Sequence, residues 1–229
     1  MANKNFYEAE LEDLRRKFVL MGEKSITIVR MALQALEETD LSLAQQVLGM
    51  DDELDELEVQ IDGDAVKYLS LRAPIGADVR FLTICMKGCS DLERIGDESC
   101  SIAKRIRRLA QQGRSVGDLG QIPDMTKIVL EQLRTAVNCF IDENYEQSLK
   151  LPEGDRIVDD MNRTNYDLLM ARATDDPEYV PIAIELIFVS KSLERIGDHA
   201  VNLAEEVAYL IKAEDIRHTD VTRRAPPQQ

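Results

Sequence analysis

Pairs of carboxylates four residues apart are the feature of this sequence that could do chemistry. Side chains at this spacing lie one turn apart on the same face of a helix, where two like charges are mildly unfavourable. Four such pairs occur: Asp51 with Asp55, Glu93 with Asp97, Asp155 with Asp159, and Glu194 with Asp198. Converging carboxylates attract hard cations, so we predict metal sites at these pairs. Oxygen ligands favour magnesium, calcium, manganese or iron, and zinc is an alternative.

The pairs recur in register in two halves of the chain. The string LERIGD occupies residues 92–97 and again residues 193–198, and the aspartate pair that begins at Asp51 recurs 104 residues later at Asp155. Chance pairs are common in a chain with 43 acidic residues, so a solvated acidic face is the alternative for any single pair. Recurrence in register favours a shared function of the pairs.

Helices must position these acids, since helix-forming residues dominate the chain and no alternating strand pattern is present. We predict six helices, over about 6–38, 41–71, 77–112 and 122–143, a fifth that starts or kinks at Pro152 and ends near Thr174, and a sixth over 177–213. Three lie on each side of a glycine-rich linker, 113–120, which indicates an internal duplication. The prediction is an all-α fold of two tandem antiparallel three-helix bundles, residues 6–112 and 121–218.

The helix faces predict where the acids point. On the last helix, Glu194 and Asp198 lie nearly opposite Ile196 of the apolar stripe, so we expect them at the surface. A glycine separates the acids of each LERIGD string, Gly96 or Gly197, and removes side-chain bulk. We therefore expect a neighbouring helix to approach at each glycine.

Basic residues stand beside two of the pairs. Arg94 and Arg195 directly follow the glutamates, and we expect each to form a salt bridge across the bundle, with contact to phosphate or a partner as the alternative. His199 follows Asp198, and we expect it to be packed or at the surface rather than a metal ligand.

Composition excludes several classes of function. The formal net charge of −15 repels phosphate backbones and anionic lipids, so we expect no nucleic-acid binding. No apolar run approaches the ~20 residues that span a bilayer, and the first residues lack the apolar core of a signal peptide. We therefore expect a cytoplasmic protein without direct membrane insertion. Four cysteines and two histidines show no disulfide or zinc spacing, and we read the pair Cys85 and Cys89 as core residues.

The LERIGD repeat on tandem three-helix bundles resembles the PhoU family, the accessory regulators of bacterial phosphate-specific transport. The resemblance covers about residues 6–218, and the second copy, SLERIGDHAVNL at 192–203, is typical of the family, whereas Glu98 stands in the first copy where the family often has histidine. The family's E/D-x-x-x-D motifs match the four acidic pairs. The resemblance implies that these pairs bind multinuclear metal clusters, often of iron or zinc.

The same resemblance implies a role and partners. A protein of this family is a cytoplasmic adaptor, usually a homodimer, that connects the ATPase subunit of the phosphate ABC transporter to a sensor histidine kinase. It restrains phosphate uptake and keeps the phosphate-starvation response off when phosphate is plentiful. We therefore expect a regulator and no enzyme, in agreement with the absence of an activated nucleophile, a histidine motif or a nucleotide loop from the sequence.

Two other functions compete with this interpretation. A ferritin-like di-metal enzyme needs Glu-x-x-His motifs, but Glu194 and His199 are five residues apart, and Asp215-x-x-His218 occurs only once. A helical interaction module without metal is the second alternative. Metal analysis of the native protein separates these possibilities.

Overall fold

The computed structural model describes residues 2–112 and 117–213, with side chains from Glu8 onward apart from that of residue 153. Half of the predicted linker, residues 113–116, and residues 214–229, which include His218, lie outside the described residues. Over the described ranges the chain is helical and contains no strand. No helix there is long and apolar enough to cross a membrane.

Six long helices and one single-turn helix make up the described chain. They are α1 (Ala2–Glu38), α2 (Leu41–Arg72), α3 (Ala77–Gln111), α4 (Ile122–Asp142), α5 (Tyr145–Ser148), α6 (Leu151–Asp175) and α7 (Val180–Lys212). Helices α1 to α3 form one bundle, and α4, α6 and α7 form the second. The predicted all-α fold of two tandem bundles is confirmed, and the short α5 between α4 and α6 was not foreseen.

Local sequence signals explain where the helices begin. The Asp40 side chain caps α2, because its Oδ1 accepts hydrogen bonds from the backbone N–H groups of Ser42 and Leu43 at 2.8 and 3.0 Å. Pro152 lies in the first turn of α6, where its missing N–H costs nothing, so it starts this helix rather than kinking it. A 3₁₀ turn over Pro177–Tyr179 precedes α7, which therefore begins slightly later than the sequence predicts.

The two bundles share one apolar core. The central helices are α3, which packs against α1, α2 and α7, and α7, which packs against α3, α4 and α6. The rings of Phe18 in α1 and Phe140 in α4 lie 4.4 Å apart between centroids. Gly88 of α3 provides the space for Phe18, since a Cβ there would lie 2.7 Å from that ring. The halves are thus joined by close packing.

All four cysteines are buried and unpaired. Burial raises the pKa of Cys85 to about 12, and burial raises that of Cys139 to about 11, so neither thiol forms thiolate at neutral pH. The prediction that Cys85 and Cys89 are core residues is confirmed, since both side chains are fully buried.

Candidate metal sites

In the first half, α2 and α3 approach each other at the acidic pairs. A Cβ on Gly96 of α3 would lie 2.7 Å from Oδ1 of Asp51 and 2.7 Å from Cδ1 of Leu54, both in α2. The predicted role of Gly96 is therefore confirmed. We call the four acids brought together here the first acidic site: Asp51, Asp55, Glu93 and Asp97.

The second half repeats this contact between α6 and α7. A Cβ on Gly197 would lie 3.4 Å from Oδ1 of Asp155 and 3.2 Å from Oε1 of Gln132, which belongs to α4. We call this the second acidic site: Asp155, Asp159, Glu194 and Asp198. The four pairs thus form two separate clusters, one in each half, because each glycine joins two neighbouring helices of its own bundle.

Raised pKa values of buried carboxyl groups mark the first acidic site. Burial raises the pKa of Glu93 to about 7, and the neighbouring Asp97 adds to the rise. Burial likewise raises the pKa of Asp51, to which Asp55 and Asp97 contribute, while a hydrogen bond with Cys100 opposes it. Within the described residues, Oδ1 of Asp51 is buried and has no hydrogen-bond partner. A cation would stabilise this arrangement, in which a buried oxygen without a partner lies among carboxyl groups of raised pKa.

Basic side chains nevertheless reach both sites. Arg94 Nη1 lies 2.8 Å from Asp97 Oδ2, and its Nε lies 3.4 Å from Glu93 Oε2. In the second half, Lys191 Nζ contacts Glu194 Oε2. The prediction of a salt bridge across the bundle was wrong for Arg94, because this side chain folds back along its own helix. Both basic side chains are about half exposed, so a cation could displace them into solvent.

Arg195 and His199 instead join the two halves. Arg195 of α7 donates to Glu98 of α3 at 2.9 Å, so it forms a salt bridge to another helix as predicted, but this helix belongs to the other bundle rather than to its own. His199 Nδ1 lies 2.9 Å from Oδ1 of Asp91 in α3. The departure of Glu98 from the repeat thus has a structural reason, because this carboxylate receives the arginine of the other half.

The acids differ in burial more than the helix faces predict. Two of the eight acids are buried and only 7% exposed, namely Asp155 and Glu194. Two are exposed, Asp55 and Asp97, and the other four are partly buried: Asp51, Glu93, Asp159 and Asp198. The expectation that Glu194 lies at the surface was wrong. The reason is that α7 packs against three other helices, so the side opposite Ile196 also meets a neighbour.

Gln132 is a residue of the second acidic site that the sequence analysis missed. It is 6% exposed and lies on the buried apolar stripe of α4, whose other members here are Val129, Leu133 and Ala136. A polar residue on such a stripe is the signal that could have identified it.

No ready-made metal cage exists in the part of the chain that the structure describes. There, no three histidine, cysteine, aspartate or glutamate side chains form a group that could hold a metal ion. The donor type fits a hard cation, because each site offers carboxylate oxygens and the first contains the unpartnered Oδ1 of Asp51. The backbone therefore brings the pairs together, while cation binding would require side chains to turn inward.

Comparison with known proteins assigns the family. The model of the PhoU domain matches residues 18–106 and, a second time, residues 122–207. The chain belongs to the PhoU family. Each of the two matches contains its own acidic site. The duplication seen in the sequence therefore corresponds to two copies of this family's domain.

Relatives of this family match over nearly the whole chain. The phosphate-specific transport system accessory protein PhoU homolog of Pseudomonas aeruginosa is 35% identical over 217 residues, which are 95% of this chain and 90% of that protein. The crystal structure of PhoU from Pseudomonas aeruginosa superposes with a TM-score of 0.86 at 34% identity, covering 91% of this chain and all of that one. The phosphate transport system regulatory protein PhoU from Streptococcus pneumoniae superposes with a TM-score of 0.84 at 25% identity, covering 91% of this chain and 98% of that one.

Proposed function

We propose that this chain is a cytoplasmic accessory regulator of phosphate-specific transport, which restrains phosphate uptake and keeps the starvation response off when phosphate is plentiful. The observation that carries the proposal is the match of both PhoU domains, together with relatives, matched over 85–90% of their own length, that are named as accessory proteins of this transport system. Function then lies in binding other proteins. The proposed partners are the ATPase subunit of the phosphate ABC transporter and the sensor histidine kinase of the phosphate response, with a homodimer as the working form.

Cations at the two acidic sites are part of this proposal. The residues that would hold them are Asp51, Asp55, Glu93 and Asp97 in the first half and Asp155, Asp159, Glu194 and Asp198 in the second. Support comes from the contact of each glycine with the neighbouring helix and from the raised carboxyl pKa values of the first site. A cation held there would convert a repulsive acidic face into a surface that accepts carboxylates of a partner. Iron, zinc, magnesium and manganese are the candidates.

We propose that the chain performs no catalysis. The thiols offer no nucleophile, because all four are buried and burial raises the pKa of each. His199 is held against Asp91 between the two halves rather than at an acidic pair, so it is not placed to serve a di-metal centre of the ferritin-like type.

An interaction module without metal is the second candidate. It is favoured by the ion pairs of Arg94 with Asp97 and of Lys191 with Glu194, which already neutralise part of each acidic site. Elemental analysis of the protein purified without chelator separates the two candidates, because only the first predicts bound metal that dialysis against EDTA removes.

Deletion of the gene tests the regulatory role. In a strain without the gene, a reporter of phosphate-starvation genes should stay active in high phosphate, and labelled phosphate uptake should continue after the cell is replete. Expression of this chain should restore repression of both. Normal repression in the deletion strain would contradict the proposed role even though the fold and family are shown.

A further inference from the structure

Gln132 is a buried glutamine whose amide makes no hydrogen bond within the described residues. Neither Oε1 nor Nε2 has a partner there, although the residue is only 6% exposed. Buried amides are normally satisfied, because an unpaired polar group loses its hydration without compensation. Asn165, also buried in this half, follows the rule, since it accepts from the backbone N–H of Gln121 and donates to Ser190. Gln132 is therefore an exception that needs an explanation.

The amide of Gln132 lies between α6 and α7. A Cβ on Gly154 of α6 would lie 3.4 Å from Nε2, and a Cβ on Gly197 of α7 would lie 3.2 Å from Oε1. The same position at Gly197 is 3.4 Å from Oδ1 of Asp155. The carbonyl oxygen of Gln132, from a third helix, therefore faces the same point on α7 as a carboxylate oxygen of the second acidic site.

The first half has no counterpart of this amide. The spacing of 104 residues that relates Asp51 to Asp155 pairs Gln132 with Ile28, which is fully buried in α1. Because isoleucine fills the matching place, packing alone does not require an amide there. The same spacing pairs Glu58 of α2 with Asn162 of α6, which accepts a hydrogen bond from Ser190 at 2.8 Å. The first half thus has an acid where the second has the amide of Asn162, and an apolar side chain where the second has the amide of Gln132.

We propose that Oε1 of Gln132 is a ligand of the cation bound at the second acidic site, which makes the two sites chemically different. This inference rests on the proposed cation binding. An amide carbonyl is a hard oxygen donor that calcium, magnesium and manganese accept beside carboxylates. Such a cation would satisfy the buried oxygen of Gln132, which no donor satisfies within the described chain.

Binding of Mn²⁺ to chains that carry Asp97→Ala, which weakens the first acidic site, tests the proposal. Free Mn²⁺ is measured by electron paramagnetic resonance for this parent and for added Gln132→Leu or Gln132→Glu. Gln132→Leu should weaken the remaining site at least about tenfold, the scale on which even outer-shell groups affect metal affinity. Gln132→Glu, which retains an oxygen in either orientation, should bind as tightly as the parent or more tightly. Gln147→Leu removes an exposed amide of α5 and should change nothing.

Thermal unfolding in EDTA supplies a readout that does not depend on metal. Gln132→Leu should raise the midpoint by roughly 4 °C, because it removes a buried unpaired amide, and should reduce the further rise that Mn²⁺ gives. A lower midpoint in EDTA would show that Gln132 is already satisfied without a cation and would overturn the proposal.

Two further results would also overturn the proposal while leaving cation binding intact. In one, Gln132→Leu binds Mn²⁺ as the parent does. In the other, Gln132→Glu weakens binding as strongly as Gln132→Leu, which would show that the amide acts as a donor to Asp155. Absence of Mn²⁺ from every chain, including the one without Asp97→Ala, would instead refute the proposed cation binding itself.

Discussion

Gly96 of α3 faces the carboxylate of Asp51 in α2 so closely that a Cβ at position 96 would lie 2.7 Å from Oδ1. The second half repeats this relationship between Gly197 and Asp155 at 3.4 Å. In each repeat, the glycine of LERIGD thus places its two flanking acids beside the aspartate pair of the preceding helix. The motif specifies a contact between helices as well as a set of oxygen atoms.

Substitution of this glycine tests the contact. Gly96→Ala should lower the free energy of unfolding by about 1 to 2 kcal/mol, because overpacking against Leu54 outweighs the better helix propensity of alanine. Gly49→Ala in α2 is the matched control, since no atom lies within 4 Å of its Cβ position, and it should stabilise the chain by roughly 0.5 to 1 kcal/mol. Urea unfolding measures both, and equal stabilisation by the two substitutions would show that the helices do not meet at Gly96.

The raised pKa of Glu93 predicts a pH dependence. Its pKa of about 7 lies above the ordinary 4.5, so the folded chain without cation holds a proton that the unfolded chain releases between these values. The free energy of unfolding of the metal-free chain should therefore rise as the pH falls from 7 towards 4.5. Cation affinity of the first site should fall over the same range, because the proton competes.

Calorimetry in buffers of different ionisation enthalpy checks this prediction, since cation binding near pH 7 should release protons from the first site. Glu93→Gln should remove most of that release. The same proton release from Glu93→Gln as from the unmodified chain would assign the titration to another group.

The basic residues beside the acids predict a competition. Arg94→Gln and Lys191→Gln should each raise the cation affinity of their own site about threefold to tenfold, because the incoming cation no longer displaces a positive charge. Arg163→Gln removes an arginine paired with Asp160 outside both sites and should leave affinity unchanged. Lower affinity in the Arg94 and Lys191 variants, measured by titration with Mn²⁺, would show that these side chains support the sites rather than block them.

An ion pair in the interface between the halves predicts a stability effect. Arg105 Nη1 lies 3.1 Å from Glu185 Oε2, with both side chains mostly buried, and its guanidinium lies 4.1 Å from the ring centroid of Phe188. Glu185→Ala should cost about 1 to 3 kcal/mol, since it leaves a mostly buried arginine without this carboxylate. Asp160→Ala breaks an exposed pair and should cost less than about 0.5 kcal/mol. A double-mutant cycle with Arg105→Leu should give a coupling well above zero, and additive effects would count against the pair.

Function should depend on both halves. Asp97→Ala combined with Asp198→Ala should weaken the restraint of phosphate uptake more than either substitution alone, because each half retains its own site when the other is changed. Asp52→Ala and Asp160→Ala, at positions directly beside the aspartate pairs, are the controls. Labelled phosphate uptake in the complemented deletion strain provides the measurement. Equal effects of the double and single variants would mean that the sites do not act independently.

The sequence by itself determined the helical class, the duplication and which acids belong together. Spacing of four residues on a helix fixes a shared face, and repetition of LERIGD fixes the correspondence of the halves, so both follow from local geometry. The glycine contact was also predictable, because the same glycine recurs in register in both LERIGD strings although glycine weakens a helix.

Only the tertiary structure decided burial and charge pairing. The side of α7 that carries Glu194 is hydrophilic in the sequence, yet it is covered because α7 is surrounded by α3, α4 and α6. Arg94 and Arg195 occupy equivalent positions, yet one folds back onto Asp97 and the other reaches Glu98 across the halves. Gln132 enters the second acidic site from a helix without an acidic pair. These outcomes depend on which helices meet, and periodicity along one helix does not encode its neighbours.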